Sequence, residues 1–190
     1  LNVIYKLIWD DFCSQYLEMI KPGFEQPIDK ATFEATIGFF DKLMALTHPF
    51  MPFITEEIWQ DIRERGEKES LCVAEFPKAA PFDATLLANF EIFFEVVTNV
   101  RNLRSTKNIS PKTELPLTIK TENQALYQPF ESLLIKLANI SDISYTTGKA
   151  DGTSFLVKAD EFFVNLAGEL DVEAEIENLQ KELEYTLGFK

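Results

Sequence analysis

The spacing of apolar residues changes once along the chain, and that change constrains the fold more than any other feature of the sequence. Over roughly the first hundred residues, apolar side chains recur three or four positions apart, as on one face of an α-helix. After Pro111 they alternate with polar residues in short segments, which is typical of half-buried strands. The sequence predicts a mainly α fold, with a helical bundle over 1–110, a small α+β subdomain over 111–168 and the start of a truncated coiled-coil helix over 169–190.

Polar caps and prolines divide the helical part into separate helices. Asn2 is expected to begin a first helix, which ends at Pro22. Asp29 begins a second helix, which must stop before Pro49 because the residue ahead of a proline is pushed out of the helical region. Asp83 begins a long fourth helix with a narrow apolar seam. The seam consists of Leu86, Phe90, Phe93, Val97 and Val100.

The segment THPFMPFITEEIW, residues 47–59, joins the second helix to a third and contains the only histidine, His48. Thr55 is the expected cap of the third helix, with Glu56 and Glu57 in its first turn. The apolar residues expected to fill this corner are Phe50, Met51, Phe53, Ile54, Ile58 and Trp59. A single histidine in such a corner is more often a packed structural residue than a catalytic one, so the structural interpretation is favoured.

Residue types that carry chemistry are sparse. Cys13 and Cys72 lie far apart with no Cys or His close in sequence, which argues against a zinc site and favours buried thiols over a disulfide. No glycine-rich phosphate loop occurs. Adjacent carboxylates such as Asp10 and Asp11 are explained by a solvated helix face. The sequence therefore predicts no catalytic residue and no metal ligand.

Strand patterns and a last helix follow Pro111. Leu115, Leu117 and Ile119 alternate as in a strand, and 126–138 returns to helical spacing with an interruption at Pro129. Further short strands are expected at 143–146, 154–158 and 161–166, with a turn at Gly148 and Gly152 between the first two. Asp171 is the expected cap of the last helix, in which Val172, Ile176, Leu179 and Leu183 keep the spacing of a coiled coil.

The charge distribution singles out one stretch. The formal net charge is −13, which counts against nucleic acid as a partner. The exception runs from residue 101 to 120, where Glu114 is the only acid among the basic residues Arg101, Arg104, Lys107, Lys112 and Lys120. The first three can present a ladder of donors to successive phosphates. A solvated helix end, where cations suit the helix dipole, explains them equally well.

The first predicted helix contains several aromatic residues. Tyr5, Trp9, Phe12 and Tyr16 could stack on unpaired bases, although core packing is the favoured interpretation on an amphipathic helix.

No apolar run reaches membrane-spanning length and no signal-peptide pattern occurs, which indicates a cytoplasmic protein without a membrane partner. The chain begins with Leu1 rather than Met, as an excised fragment would.

Five blocks of sequence carry a family resemblance. Residues 4–22, IYKLIWDDFCSQYLEMIKP, and 46–60, LTHPFMPFITEEIWQ, resemble the anticodon-binding bundle of class I aminoacyl-tRNA synthetases for branched aliphatic amino acids. Three later blocks favour the valine branch over the isoleucine branch: SLCVAEFP (70–77), VRNLRSTKNISP (100–111) and NLAGELDVEAEIENLQKEL (165–183). Ser14 and Gln15 depart from the Asp-Trp of many relatives, so no role carries over to them.

The resemblance implies the C-terminal part of a ligase that charges tRNA(Val). Its catalytic and editing domains, with ATP and Mg²⁺, would lie outside this chain, which would be inactive alone and hold no cofactor. The parent enzyme is expected to be monomeric. The tRNA-binding candidates are Arg101, Arg104, Lys107, Lys112 and Trp9, of which Arg101 and Arg104 match the spaced arginines of the family. The structural family motif is His48, Pro49, Phe50, Pro52 and Trp59. The alternatives are a helical scaffold that does not bind RNA, a protein-interaction module, and the equivalent part of an isoleucine enzyme.

Overall fold

The computed structural model describes residues 1–166 and Leu187. The chain divides into two compact units, one from Leu1 to Phe82 and one that begins at Asp83. The predicted boundary at 110/111 lies inside the second unit, which also contains the long helix before it. Among the described residues, no helix is long and apolar enough to cross a membrane.

The first unit begins with a continuous helical stretch in three parts. These are α1 (Asn2–Lys6), a π-helical segment (Leu7–Tyr16) and α2 (Leu17–Ile20). In a π-helix, residues five apart lie one turn apart, as Trp9 and Ser14 do here. Ser14 Oγ donates to the Trp9 carbonyl at 2.7 Å. The predicted cap was one residue off, because Asn2 is already helical and the preceding Leu1 makes no side-chain cap.

Two more helices belong to this unit, α3 (Lys30–Thr47) and α4 (Pro52–Ile62). α3 begins next to the predicted start at Asp29, and Asp29 caps it, since its Oδ1 accepts from the Thr32 backbone N–H at 2.9 Å. α4 begins before the predicted cap Thr55, because Pro52 occupies the first turn, where its missing N–H leaves no partner unsatisfied. The buried core of the unit consists of Phe12, Leu43, Met44, Trp59 and Leu71.

The second unit is organised around α5 (Ala84–Thr106). The helix begins next to the predicted start at Asp83, and Asp83 caps it by accepting from the backbone N–H groups of Thr85 and Leu86 at 2.9 and 3.0 Å. Its fully buried side chains are Phe93, Val96, Val97 and Val100. The helix packs against α6 (Glu131–Ala138), and the ring of Phe93 stacks on that of Phe130 just before α6, with centroids 5.3 Å apart. As predicted, helical structure restarts after Pro129.

A four-stranded sheet completes the second unit. Its strands are β1 (Leu115–Lys120), β2 (Ile140–Thr146), β3 (Thr153–Val157) and β4 (Asp160–Val164), in the order β2-β1-β4-β3. β1 is parallel to β2 and antiparallel to β4, which pairs antiparallel with β3. Leu115, Leu117 and Ile119 are buried at 2% exposure or less, which confirms the strand predicted from their alternation. The other three predicted strands are also confirmed, with shifted ends.

Gly152 lies in the connection between β2 and β3, where a glycine turn was predicted. These strands occupy opposite edges of the sheet, so the connection is not a hairpin. Gly152 has φ of 133°, and a Cβ added there would lie 2.5 Å from the carbonyl oxygen of Val164. Both the backbone conformation and the close approach therefore require glycine.

The predicted mainly α class is wrong, and the fold is α+β. Helices hold 51% and strands 14% of the described structure, and the strands form one mixed sheet. The prediction failed because it treated the strands as a minor appendage to the helices. In the structure they form a single sheet in the same unit as α5, which contacts β3. The expected coiled-coil start at 169–190 lies outside the described residues, apart from Leu187.

Candidate nucleic-acid interface

A basic groove of about 1080 Å³ lies at the C-terminal end of α5 in the second unit. Its walls come from the last turns of α5, the turn that follows, and the end of α6. The lining residues with polar or charged side chains are Arg101, Arg104, Ser105, Asn108, Ser110, Lys112, Lys136 and Asn139. The fold thus gathers three of the predicted tRNA-binding residues, Arg101, Arg104 and Lys112, around one opening.

Arg104 is buried beneath this groove, at 5% exposure. Its Nη1 donates to the carbonyls of Ser110 and Thr113 at 3.2 and 2.6 Å. Its Nη2 donates to the carbonyls of Ala138 and Asn139 at 3.1 and 2.8 Å. Burial lowers the pKa of the guanidinium from its ordinary value. Arg104 therefore connects the end of α5, residues 110–113 and residues 138–139 through hydrogen bonds. These bonds use Nη1 and Nη2, the nitrogens that would otherwise donate to a phosphate.

Arg101 is exposed one turn earlier on the same helix. Its Nε and Nη2 donate to the carbonyl of Leu137 at 3.2 and 2.8 Å, which fixes the plane of the guanidinium at the groove wall. A guanidinium has five N–H donors, and this interaction uses two of them. Arg101 can therefore keep its position while it donates to an anion in the groove.

The remaining cations are divided between the groove and its surroundings. Lys112 is exposed in the turn after α5 and lines the groove, whereas Lys107, at the C-cap of α5, is not among the lining residues found in the described chain. The sequence reasoning missed Lys136 and Asn139. Lys136 sits in the last turn of α6, where its basic charge suits the helix dipole, and that position was the available signal. Asn139 has φ of 50° and donates from Nδ2 to the carbonyls of Pro111 and Thr113.

Trp9 provides a different kind of surface in the first unit. Its indole is 59% exposed and lies nearly parallel to the ring of Tyr5, with an interplanar angle of 13° and centroids 6.4 Å apart. Phe12 faces the core instead and stacks on Tyr16 and Phe40. The four aromatic residues considered from sequence therefore separate into an exposed pair and a packed pair.

The family-motif residues form the corner between α3 and α4. His48 is the C-cap residue of α3, and its Nδ1 lies 2.9 Å from Thr55 Oγ1. Trp59 is buried, and the guanidinium of Arg65 covers its ring. The expected apolar filling of the corner is confirmed for Trp59 and for Ile58, which packs against the buried core. It was wrong for the other four residues, which are 43–90% exposed: Phe50, Met51, Phe53 and Ile54. Pro49 and Pro52 are exposed as well.

Residues 1–119 match the family of anticodon-binding domains of tRNA ligases, and the chain belongs to that family. The match extends from the first unit through α5 and most of β1. Curated relatives narrow the similarity to valine–tRNA ligases. The chain is 51% identical to the valine–tRNA ligase of Parabacteroides distasonis over all of its length, and 46% identical to that of Christiangramia forsetii over 97%. Identity to the Bacillus subtilis valine–tRNA ligase is 33% over 95% of the chain. The chain spans about a fifth of these relatives, 21–22% of their length.

Proposed function

We propose that the chain is the tRNA-binding, C-terminal part of a valine–tRNA ligase. Its family membership, with 46% and 51% identity to valine–tRNA ligases over nearly the whole chain, carries the proposal. A catalytic domain outside these residues, using ATP and Mg²⁺, attaches valine to tRNA(Val). The present residues hold the tRNA and are inactive in aminoacylation alone. The enzyme works in the cytoplasm as a monomer.

The basic groove is the proposed phosphate-binding surface. Arg101 and Lys112 supply positive charge at its wall, and Lys136 adds to it. Because the chain carries a formal charge of −13, attraction for tRNA is confined to local surfaces of this kind. Arg104 supports the site by holding the backbone that forms the groove. Lys107 is a candidate for a phosphate outside it.

Trp9 is the proposed contact to an unpaired base in the first unit. An exposed indole already aligned with Tyr5 offers a flat surface on which a base can stack. Stacking of this kind contributes about 1–3 kcal/mol per base and does not depend on the base's identity. Recognition of tRNA(Val) by its anticodon would therefore require further polar contacts beside this ring.

The test is the salt dependence of tRNA(Val) binding by the chain and by Arg101→Glu/Lys112→Glu. If both residues bind phosphates, affinity falls and the slope of log K against log salt shrinks by about 0.7–0.9 for each phosphate that is no longer bound. Lys149→Glu/Lys158→Glu is the matched control, because it makes the same charge change in the same unit outside the groove.

Equal weakening by the two double variants would show that only overall charge matters and would refute the groove as a specific site. No binding of tRNA(Val) by the folded wild-type chain, even at low salt, would favour a scaffold that positions neighbouring domains. Binding of tRNA(Ile) in preference to tRNA(Val) would transfer the assignment to the isoleucine enzyme.

A further inference from the structure

Three side chains with metal-binding atoms meet at the corner of the first unit. His48 is the C-cap residue of α3, Glu56 lies in α4, and Cys72 follows in the turn beyond Ser70. One ligand atom from each residue can be chosen so that all three atoms lie within 4.8 Å of one another. The proposed tRNA contacts use none of these residues.

The hydrogen bonds of His48 determine its tautomer, and so which ring nitrogen is unprotonated. Thr55 Oγ1 donates its hydrogen to the carbonyl of Met51 at 2.8 Å, so it accepts from His48 Nδ1–H at 2.9 Å. The other nitrogen, Nε2, is then an acceptor, and it lies 3.3 Å from Cys72 Sγ. Metal-binding histidines are commonly held in this way, by a hydrogen bond from the opposite ring nitrogen to an oxygen.

Glu56 is oriented by its own hydrogen bonds. Oε1 accepts from Gln60 Nε2 at 2.9 Å, and Oε2 accepts from Ser70 Oγ at 3.0 Å and from the Leu71 backbone N–H at 2.8 Å. An ionised carboxylate has about four lone-pair positions, so these three bonds leave one for an additional partner. The bonds to Ser70 and Leu71 also hold the segment that carries Cys72 next to α4.

We propose that His48 Nε2, Cys72 Sγ and the Glu56 carboxylate form a site for one Zn²⁺ ion. Ligands bound tetrahedrally to zinc at 2.0–2.3 Å lie about 3.3–3.8 Å apart. The His48–Cys72 distance of 3.3 Å already fits, and the 4.8 Å limit requires an adjustment of at most about 1.5 Å at the carboxylate. A nitrogen, a sulfur and an oxygen ligand suit zinc rather than Ca²⁺ or Mg²⁺, which prefer oxygen alone.

Binding would convert the Cys72 thiol to a zinc-bound thiolate and release its proton to solvent. Cys72 is exposed, so a water molecule can occupy the fourth position. The ion would connect the end of α3, the first half of α4 and the turn at Cys72. All three ligands lie within the first unit.

Cobalt titration of the reduced, purified chain tests the proposal. We expect one Co²⁺ per chain with a thiolate-to-cobalt charge-transfer band, and Zn²⁺ should displace it. Cys72→Ser should abolish the band, whereas the matched control Cys13→Ser, which removes the only other cysteine, should retain it. Thr55→Val removes the acceptor that orients His48, and it should weaken metal affinity by about 10–100-fold.

A second measurement uses the wild-type chain alone, so it does not depend on a variant folding. Zn²⁺ should slow alkylation of Cys72 and leave alkylation of Cys13 unchanged. No cobalt band in the folded wild-type chain, a band that survives Cys72→Ser, or equal effects of zinc on both thiols would overturn the proposal. Any of these would leave a simple S–H···N hydrogen bond between Cys72 and His48.

Discussion

Replacing Arg104 with leucine tests whether this residue builds the groove rather than binding RNA. Hydrogen bonds from a charged donor contribute about 1.5–3 kcal/mol each, so the four bonds to carbonyls set an upper bound of about 6–12 kcal/mol. Leucine also removes the cost of burying a guanidinium, which is several kcal/mol and includes an Nε without a hydrogen-bond partner. We expect Arg104→Leu to lower the free energy of unfolding of the second unit by about 3–5 kcal/mol.

Native-state hydrogen exchange resolved along the chain is the appropriate assay, because two units need not unfold as one. Protection should fall at Ile109, whose N–H donates to the carbonyl of residue 104 at 2.8 Å, and through β1. Arg101→Leu is the matched control: it removes the hydrogen bonds to a single carbonyl at an exposed site and should cost less than about 1 kcal/mol. Equal destabilisation by the two variants would refute the structural role assigned to Arg104.

Three further predictions concern other parts of the chain. Trp9→Ala should weaken tRNA binding by about 1–3 kcal/mol in a filter-binding assay, with unchanged circular dichroism, because the ring is exposed; an equal effect of Phe24→Ala, at another exposed ring, would contradict this. Gly152→Ala should lower the free energy of unfolding by at least about 1–3 kcal/mol in urea, since its Cβ would meet Val164 O; an unchanged urea midpoint would refute it. Burial and the hydrogen bond to Asp160 raise the pKa of Tyr127 above its ordinary 10.0, so stability should fall as pH rises past 10.0, and less steeply in Tyr127→Phe.

Local signals predicted the elements they directly control. The starts of α3 and α5 were predicted at Asp29 and Asp83, and both side chains cap their helices through bonds that involve only neighbouring residues. The alternation at 115–119 predicted β1 in the same way. The sheet order could not be obtained from such signals. β1 lies between β2 and β4, and the residues it pairs with are 25 or more positions later in the sequence (Leu115 with Ile140, for example). The π-helical winding of Leu7–Tyr16 has no evident signal in the sequence.

The basic residues show that spacing alone does not predict which side chains are buried. Arg101 and Arg104 were predicted together as phosphate contacts, because they lie three apart near one helix end. The two residues lie one helical turn apart, yet Arg101 is exposed and Arg104 is only 5% exposed. Which side of α5 faces the protein depends on the turn at 110–113 and the end of α6, and these lie elsewhere in the sequence.

The end of α6 connects the buried arginine to binding by the exposed one. Leu137, whose carbonyl accepts from Arg101, directly precedes Ala138, whose carbonyl accepts from Arg104. Holding residue 138 therefore also fixes the carbonyl that orients Arg101 at the groove. A variant that loosens this end of α6 should weaken tRNA binding even with every basic rim residue present. Weaker binding caused by Arg104→Leu would then accompany reduced hydrogen-exchange protection, whereas weaker binding caused by Arg101→Glu would not.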